Sequence, residues 1–316
     1  MTVQKPAPLT RKSRVGIVMP ASAPSDSSAI TSGVESLRER GLQIADPIPE
    51  HSLHGYLGGT DEERTSAING FLTRSDVTAL LAVRGGYGVM RLLDAIDYDA
   101  ARAHCKLLVG YSDITALQFA LYTHAGWTSV QGPMVAVEWP SIDPISEAQF
   151  WKLCEGAILS SFNLPGSEGM QPVRTGTTEG VLLGGNLAAI VRLIGTPHLP
   201  ALDETILFLE DIGEEPYRID ALLAQLRLAG VLDTLSGVVL GAFTDCEPES
   251  GKRSFSTREV LHDYFSDVSY PVSEGLLFGH IRSKVSMPFG VRARLTVDES
   301  GANLEMLEAV VESEGV

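Results

Sequence analysis

Cysteine is scarce in this chain: three in 316 residues, Cys105, Cys154 and Cys246, widely spaced and without a CxxC pair. That excludes a disulfide framework and a zinc knuckle, and fits reduced, mostly buried thiols. Basic residues are also in deficit, 24 Lys and Arg against 40 Asp and Glu, a net charge of −16. An acidic surface repels phosphate backbones and anionic lipid headgroups, so nucleic-acid and membrane-surface partners are both disfavoured. No stretch approaches the roughly 18 apolar residues of a membrane span. The apolar run at 15–19 stops at Pro20, too short for a secretory signal, so a cytoplasmic location is expected. Repeats and low-complexity tracts are missing. The histidines show no ligand spacing beyond His51-x-x-His54, which has no carboxylate or cysteine frame, so no metal site is expected.

What is present is an ordinary globular composition, 44% hydrophobic and 20% charged. At a prior of ~150 residues per domain the length suggests two domains. Short apolar runs at 14–19, 42–45, 77–83 and 106–109 read as strands. Helical stretches at 28–40, 61–72, 89–96 and 114–124 alternate with them. That rhythm implies a parallel sheet with crossover helices, its strands apolar throughout because both faces are covered. Residues 143–179 break the pattern with one helix, about 147–159, and a stretch rich in Pro, Gly, Ser and Thr. We therefore divide the chain into a domain at 1–160, a linker at 161–178 and a second domain at 179–316. The second half reads as a strand at 180–183, a helix from Asn186 to about 194 and a strand at 205–209. A helix at 216–229, a strand at 237–243 and two strands within 293–307 follow.

Four places could carry chemistry. Ser112, in VGYSDITAL, sits at a strand-to-helix junction, where a serine projects from the carboxyl end of a parallel strand. The N–H of Asp113 faces the same point, setting an oxyanion donor beside a nucleophile. Ser112 reads equally as a helix cap, and the motif lacks the second glycine of G-x-S-x-G. The run Arg84-Gly85-Gly86-Tyr87-Gly88 follows a strand, and its glycines let backbone amides approach an anion. Both loops belong at one sheet edge, where open α/β sheets bind ligands. Glu210 ends the apolar strand ILFLED and could orient a histidine. His280, in LLFGHIRSK, follows an apolar run and could act as a general base. Each alone is as readily structural. Together Ser112, Glu210 and His280 supply a nucleophile, a carboxylate and a base from both halves of the chain, so the site belongs between the domains.

The motifs resemble those of the serine LD-carboxypeptidase, or muramoyltetrapeptide carboxypeptidase, family. The matching runs are AVRGGYGVMRLLDAID, VGYSDITAL, QGPM, LLGGNLAAIVRLIGTP, ILFLEDIGEEPYRID, VVLGAF, FGHI and MPFG, in family order. The resemblance implies an α/β fold: a Rossmann-like N-terminal domain, a smaller β-rich C-terminal domain and the active site between them. It implies a cofactor-free Ser112–Glu210–His280 triad, a homodimer, and removal of terminal D-alanine from murein tetrapeptides during cytoplasmic cell-wall recycling. The oxyanion donors would be the backbone N–H groups of Asp113 and Gly86. Arg84, Gly85, Tyr87 and Asn186 would contact the peptide. Two departures touch substrate detail: Gln131 stands where many members have His, and Ala221 where many have Arg. A sister branch cleaves aminoacyl nucleotides of the microcin C type, and a silent muropeptide binder is a further possibility. A nucleotide site in the glycine loop is the weakest alternative, since the spaced glycines and acidic ribose partner are lacking.

Overall fold

In the computed structural model, which describes residues 2–50 and 53–312, the chain forms two sheets wrapped by helices. The first sheet contains β1 (Arg14–Val18), β2 (Gln43–Ala45), β3 (Ala79–Ala82), β4 (Leu107–Val109) and β5 (Ser129–Gln131). Helices α1 (Ser28–Glu39), α2 (Asp61–Leu72), α3 (Tyr98–Ala103), α4 (Ile114–Ala125) and α5 (Pro144–Cys154) accompany it. These five strands run parallel in the order β5-β4-β3-β1-β2. All residues of β3, β4 and β5 are buried, as a sheet covered on both faces requires. The expected α/β architecture is what the structure shows.

The second sheet is mixed. It contains β6 (Gln171–Arg174), β7 (Gly176–Asn186), β8 (Thr205–Ile212), β9 (Gly237–Thr244) and β10 (Val272–Glu274). The strand β11 (Met287–Phe289) intervenes before β12 (Val291–Asp298) and β13 (Gly301–Met306), which rejoin this second sheet. Its order is β13-β12-β7-β8-β9-β10-β6, with β7 to β10 parallel and the outer strands antiparallel. Helices α6 (Leu187–Arg192), α7 (Pro216–Leu228), α8 (Val231–Thr234) and α9 (Thr257–Phe265) complete it.

Three expectations change. The helix expected at 89–96 is instead two single 3₁₀ turns, Val89–Arg91 and Leu93–Ala95. Gly88 enters at φ 130°, the Val89 N–H goes to the Asp113 carboxylate at 2.9 Å, and Ile96 turns extended. Asp97 then caps α3 through the Ala100 N–H. The helix expected at 147–159 starts earlier, because Asp143 caps it and Pro144 fits its first turn. The segment 161–178 is no bare linker: it holds β6 and the start of β7. The chain also crosses back, since β11 pairs antiparallel with β5 at the edge of the first sheet.

Helix α4 sits where the two halves meet. Its residues are mostly buried, and it touches α3 as well as α6 and β7 of the second sheet. The fully buried Gln131 ties the halves directly, donating from Nε2 to the Gly184 carbonyl at 2.7 Å. Ala221 lies on an exposed face of α7. Among the described residues, no helix is long and apolar enough to cross a membrane.

Candidate functional site

Ser112 follows β4 and takes φ 63°, a left-handed backbone that a non-glycine residue rarely adopts. The corner is tight because Gly110 packs on Ala82 and Ile114, where an added Cβ would lie 3.0 Å from each. Turn bonds from Ile114 N to Tyr111 O and from Thr115 N to Ser112 O then start α4. The capping alternative fails on geometry. Asp113 occupies the cap position, α4 has no side-chain cap, and Ser112 Oγ bonds to no described residue. A strained backbone presenting an unbonded hydroxyl is the geometry of an exposed nucleophile.

The glycine loop lies against that hydroxyl. A Cβ on Gly85 would stand 2.8 Å from Ser112 Oγ and 3.2 Å from Asp113 N. Gly86 takes φ 108°, and a Cβ there would strike Ser22 Oγ at 2.6 Å. Ser22 props the loop from outside: its Oγ accepts the Tyr87 N–H at 3.2 Å. The backbone N–H groups of Gly86 and Asp113 have no acceptor among the described residues. They are the two donors expected for an oxyanion.

The second sheet supplies the other partners. Glu210 is fully buried in β8, at a register shift between Leu209 and Asp211 against β9. Such a shift re-aims a side chain. Its Oε2 lies 2.7 Å from His280 Nδ1. Gly279 permits this closeness, because a Cβ there would come within 3.0 Å of Glu210 Oε2 and 3.2 Å of the Ala242 carbonyl. The ring of Tyr111, the residue before Ser112, meets the His280 imidazole edge-on at 5.0 Å between centroids, while among the described residues no hydrogen bond joins His280 to Ser112. Beside them opens a cleft of about 350 Å³ lined by Tyr111, Val137, Glu138, Asp143, His280 and Arg282.

Burial shapes the electrostatics. It raises the Asp113 carboxyl to about 6 although the carboxylate accepts the Val89 N–H. It raises Asp211, next to Glu210, to about 6 as well. Burial also drives the Tyr111 phenol upward, so it stays a proton donor to Glu138. Arg84 is half-buried, donates to the Ala23 carbonyl at 3.3 Å and forms no ion pair among the described residues. Tyr87 is exposed and pairs edge-on with Tyr56. Asn186 is otherwise engaged: it caps α6 through the Ala189 N–H and donates to Asp211 Oδ1 at 2.9 Å. Both ends of its amide thus serve the fold. His51 lies outside the described residues, and His54 bridges to Leu57. Among the described residues, no cluster of three His, Cys, Asp or Glu is placed to hold a metal ion.

Sequence reasoning missed Tyr111, Glu138, Lys284 and Ser22, which bond around these groups. Tyr111 adjoins Ser112 and was within reach. Glu138 and Lys284 are far apart in the chain and carry no motif.

A two-sheet α/β chain with a serine at a strand-to-helix corner and a carboxylate-paired histidine packed on the tyrosine before that serine falls in the class of serine hydrolases. Residues 15–132 match the LD-carboxypeptidase N-terminal domain and residues 179–295 the LD-carboxypeptidase C-terminal domain. The chain belongs to the LD-carboxypeptidase family and is a peptidase of that family. It is 32% identical over 306 residues to a probable murein peptide carboxypeptidase of Bacillus subtilis, covering 95% of this chain and 94% of that one. A muramoyltetrapeptide carboxypeptidase structure from Oxalobacter formigenes superposes with a TM-score of 0.81 at 30% identity, covering 93% and 98% of the two chains. The microcin C7 self-immunity protein MccF superposes with a TM-score of 0.88 at 25% identity, covering 98% and 99%.

Proposed function

We propose that this chain removes the terminal D-alanine from murein tetrapeptides, cleaving the bond from the L-centre of the diamino acid, as a cytoplasmic homodimer. The observation that carries the reading is the 2.7 Å His280–Glu210 pair packed against the ring of Tyr111, the residue before Ser112, whose left-handed backbone turns the serine out of β4. In this mechanism Glu210 holds Nδ1–H of His280, leaving Nε2 to take the proton of Ser112. Ser112 Oγ attacks the carbonyl preceding D-alanine. The N–H groups of Asp113 and Gly86 hold the oxyanion, each donor contributing about 100–1,000-fold in rate. His280 protonates the leaving amine, and water hydrolyses the acyl-enzyme. Arg84 is the candidate for the terminal carboxylate, having no ion-pair partner among the described residues to give up.

The second reading is amide hydrolysis of an aminoacyl sulfamoyl nucleotide, favoured by the close superposition on MccF. One MccF structure is a complex with aspartyl sulfamoyl adenosine. The two readings separate when purified protein is given a murein tetrapeptide and aspartyl sulfamoyl adenosine in parallel, with products read by mass spectrometry. Loss of one D-alanine, abolished by Ser112→Ala, supports the carboxypeptidase. Turnover of the nucleotide alone supports the second reading, and turnover of neither rejects both.

A further inference from the structure

His280 and Ser112 belong to different halves of the chain, so something must set the distance between them. The structure shows one continuous buried connection. Tyr111, the residue before Ser112, donates from its hydroxyl to Glu138 Oε1 at 2.7 Å. Lys284 Nζ donates to the same oxygen at 2.7 Å and to the carbonyl of Gly279, the residue before His280, at 3.0 Å. Glu138 Oε2 is pinned by the Met134 N–H at 2.8 Å. The Lys284 ammonium also stands 3.9 Å from the centre of the Tyr111 ring, and that ring packs edge-on against His280. The backbone of Lys284 is anchored too, its N–H going to Ser146 Oγ at 2.9 Å at the start of α5.

We infer that Glu138 and Lys284 are positioning residues for His280, a latch that fixes the base over the serine corner. The inference rests on the reading of Ser112 and His280 as nucleophile and base. Three features distinguish a latch from an ordinary ion pair. Each charged group also bonds to the chain neighbour of a reacting residue, or to that neighbour's side chain. Both side chains are nearly buried, 9% and 12% exposed, so water screens them little. Finally, Lys284 bonds the Gly279 carbonyl while the Gly279 backbone packs on Glu210, so one short segment is gripped from two sides. A buried pair costs desolvation and is weak as a stabilising device, while loss of either partner strands the other. What the pair does here is select one placement of the His280 loop. A displacement of about 1 Å at a reacting group costs about 100-fold in rate.

The test compares kcat and KM for D-alanine release from a murein tetrapeptide by wild type, Lys284→Met, Glu138→Gln, the double variant and Tyr111→Phe. Thermal melting and circular dichroism establish that each is folded. The latch predicts that kcat falls about 10–100-fold for Lys284→Met and Glu138→Gln, with KM within about threefold. It predicts that the double variant is no slower than the slower single one, because the pair acts as a unit. Tyr111→Phe keeps the ring and removes only the hydroxyl bond, so it tests the chain should the charge variants fail to fold; its kcat should fall by about 3–10-fold. Folded variants with wild-type kcat would overturn the inference, as would losses confined to KM, which would make these residues substrate contacts. Ser112→Ala is run alongside. If it retains activity, the nucleophile reading fails; if it is inactive while the latch variants are unimpaired, only the latch fails.

Discussion

Gly85→Ala probes the serine corner without removing any polar group. Gly85 lies outside the left-handed region, so its backbone accepts alanine. The added methyl is the whole perturbation. It would stand 2.7 Å from Ser112 Cβ and 2.8 Å from Ser112 Oγ, where ordinary contact begins at 3.4 Å. The hydroxyl must therefore retreat, or the glycine loop must lift away from it. Either motion separates the oxyanion donors from the nucleophile by several tenths of an ångström. Misplacement of about 1 Å costs about 100-fold, so kcat for D-alanine release should drop about 10–100-fold. Overpacking of this kind costs about 1–3 kcal/mol of stability, visible as a lower melting temperature. The assay is steady-state D-alanine release with a thermal melt on the same preparation. A variant with wild-type kcat and an unchanged melt would refute the close packing of Gly85 on Ser112 and the oxyanion geometry that depends on it.

The remaining predictions concern the groups around that corner. Asn186→Ala removes the α6 cap and a partner of buried Asp211, so urea unfolding should show a loss of about 2–3 kcal/mol; an unchanged stability with a raised KM would make Asn186 a substrate contact instead. Burial lifts the Asp113 carboxyl to about 6 from an ordinary 3.8, so the native state holds a proton that the unfolded chain has released. Its stability contribution is fully present below ~pH 4 and lost as the pH rises through ~6. Wild-type stability relative to Asp113→Asn should therefore fall by up to about 3 kcal/mol between pH 4 and 7; a pH-independent difference would contradict this. Arg84→Ala should raise KM far more for a tetrapeptide than for the same peptide amidated at D-alanine, and equal effects would remove Arg84 from carboxylate recognition.

Much of this was legible in the chain because its signals are local. The runs ahead of RGGYG and GYSD are short, apolar and abruptly ended, and they are β3 and β4. The helix at 61–72 is legible as a stretch, but its capping box, Thr60 with Glu63, and that of α9, Ser256 with Glu259, are local signals the sequence reading does not use. Other features depend on distant partners. Residues 89–96 have a helical composition, yet the run makes only two 3₁₀ turns, entered from Gly88 at φ 130° and ended where Ile96 turns extended to lead into the Asp97 cap of α3. β5 and β11 are three residues each, too short for a periodicity, and they exist because they pair with each other and with β4. Ser112, Glu210 and His280 could be named because their motifs are local. The arrangement of Glu138 and Lys284 could not, since only the fold brings them to 2.7 Å.

The most direct test of Ser112 and His280 acting as one unit is the residual rate of D-alanine release by Ser112→Ala, His280→Ala and the double variant. Groups that work on a single proton transfer lose their function together, so the double variant should be no slower than the slower single one. Losses that multiply in the double variant, or a Ser112→Ala enzyme that still turns over, would contradict it.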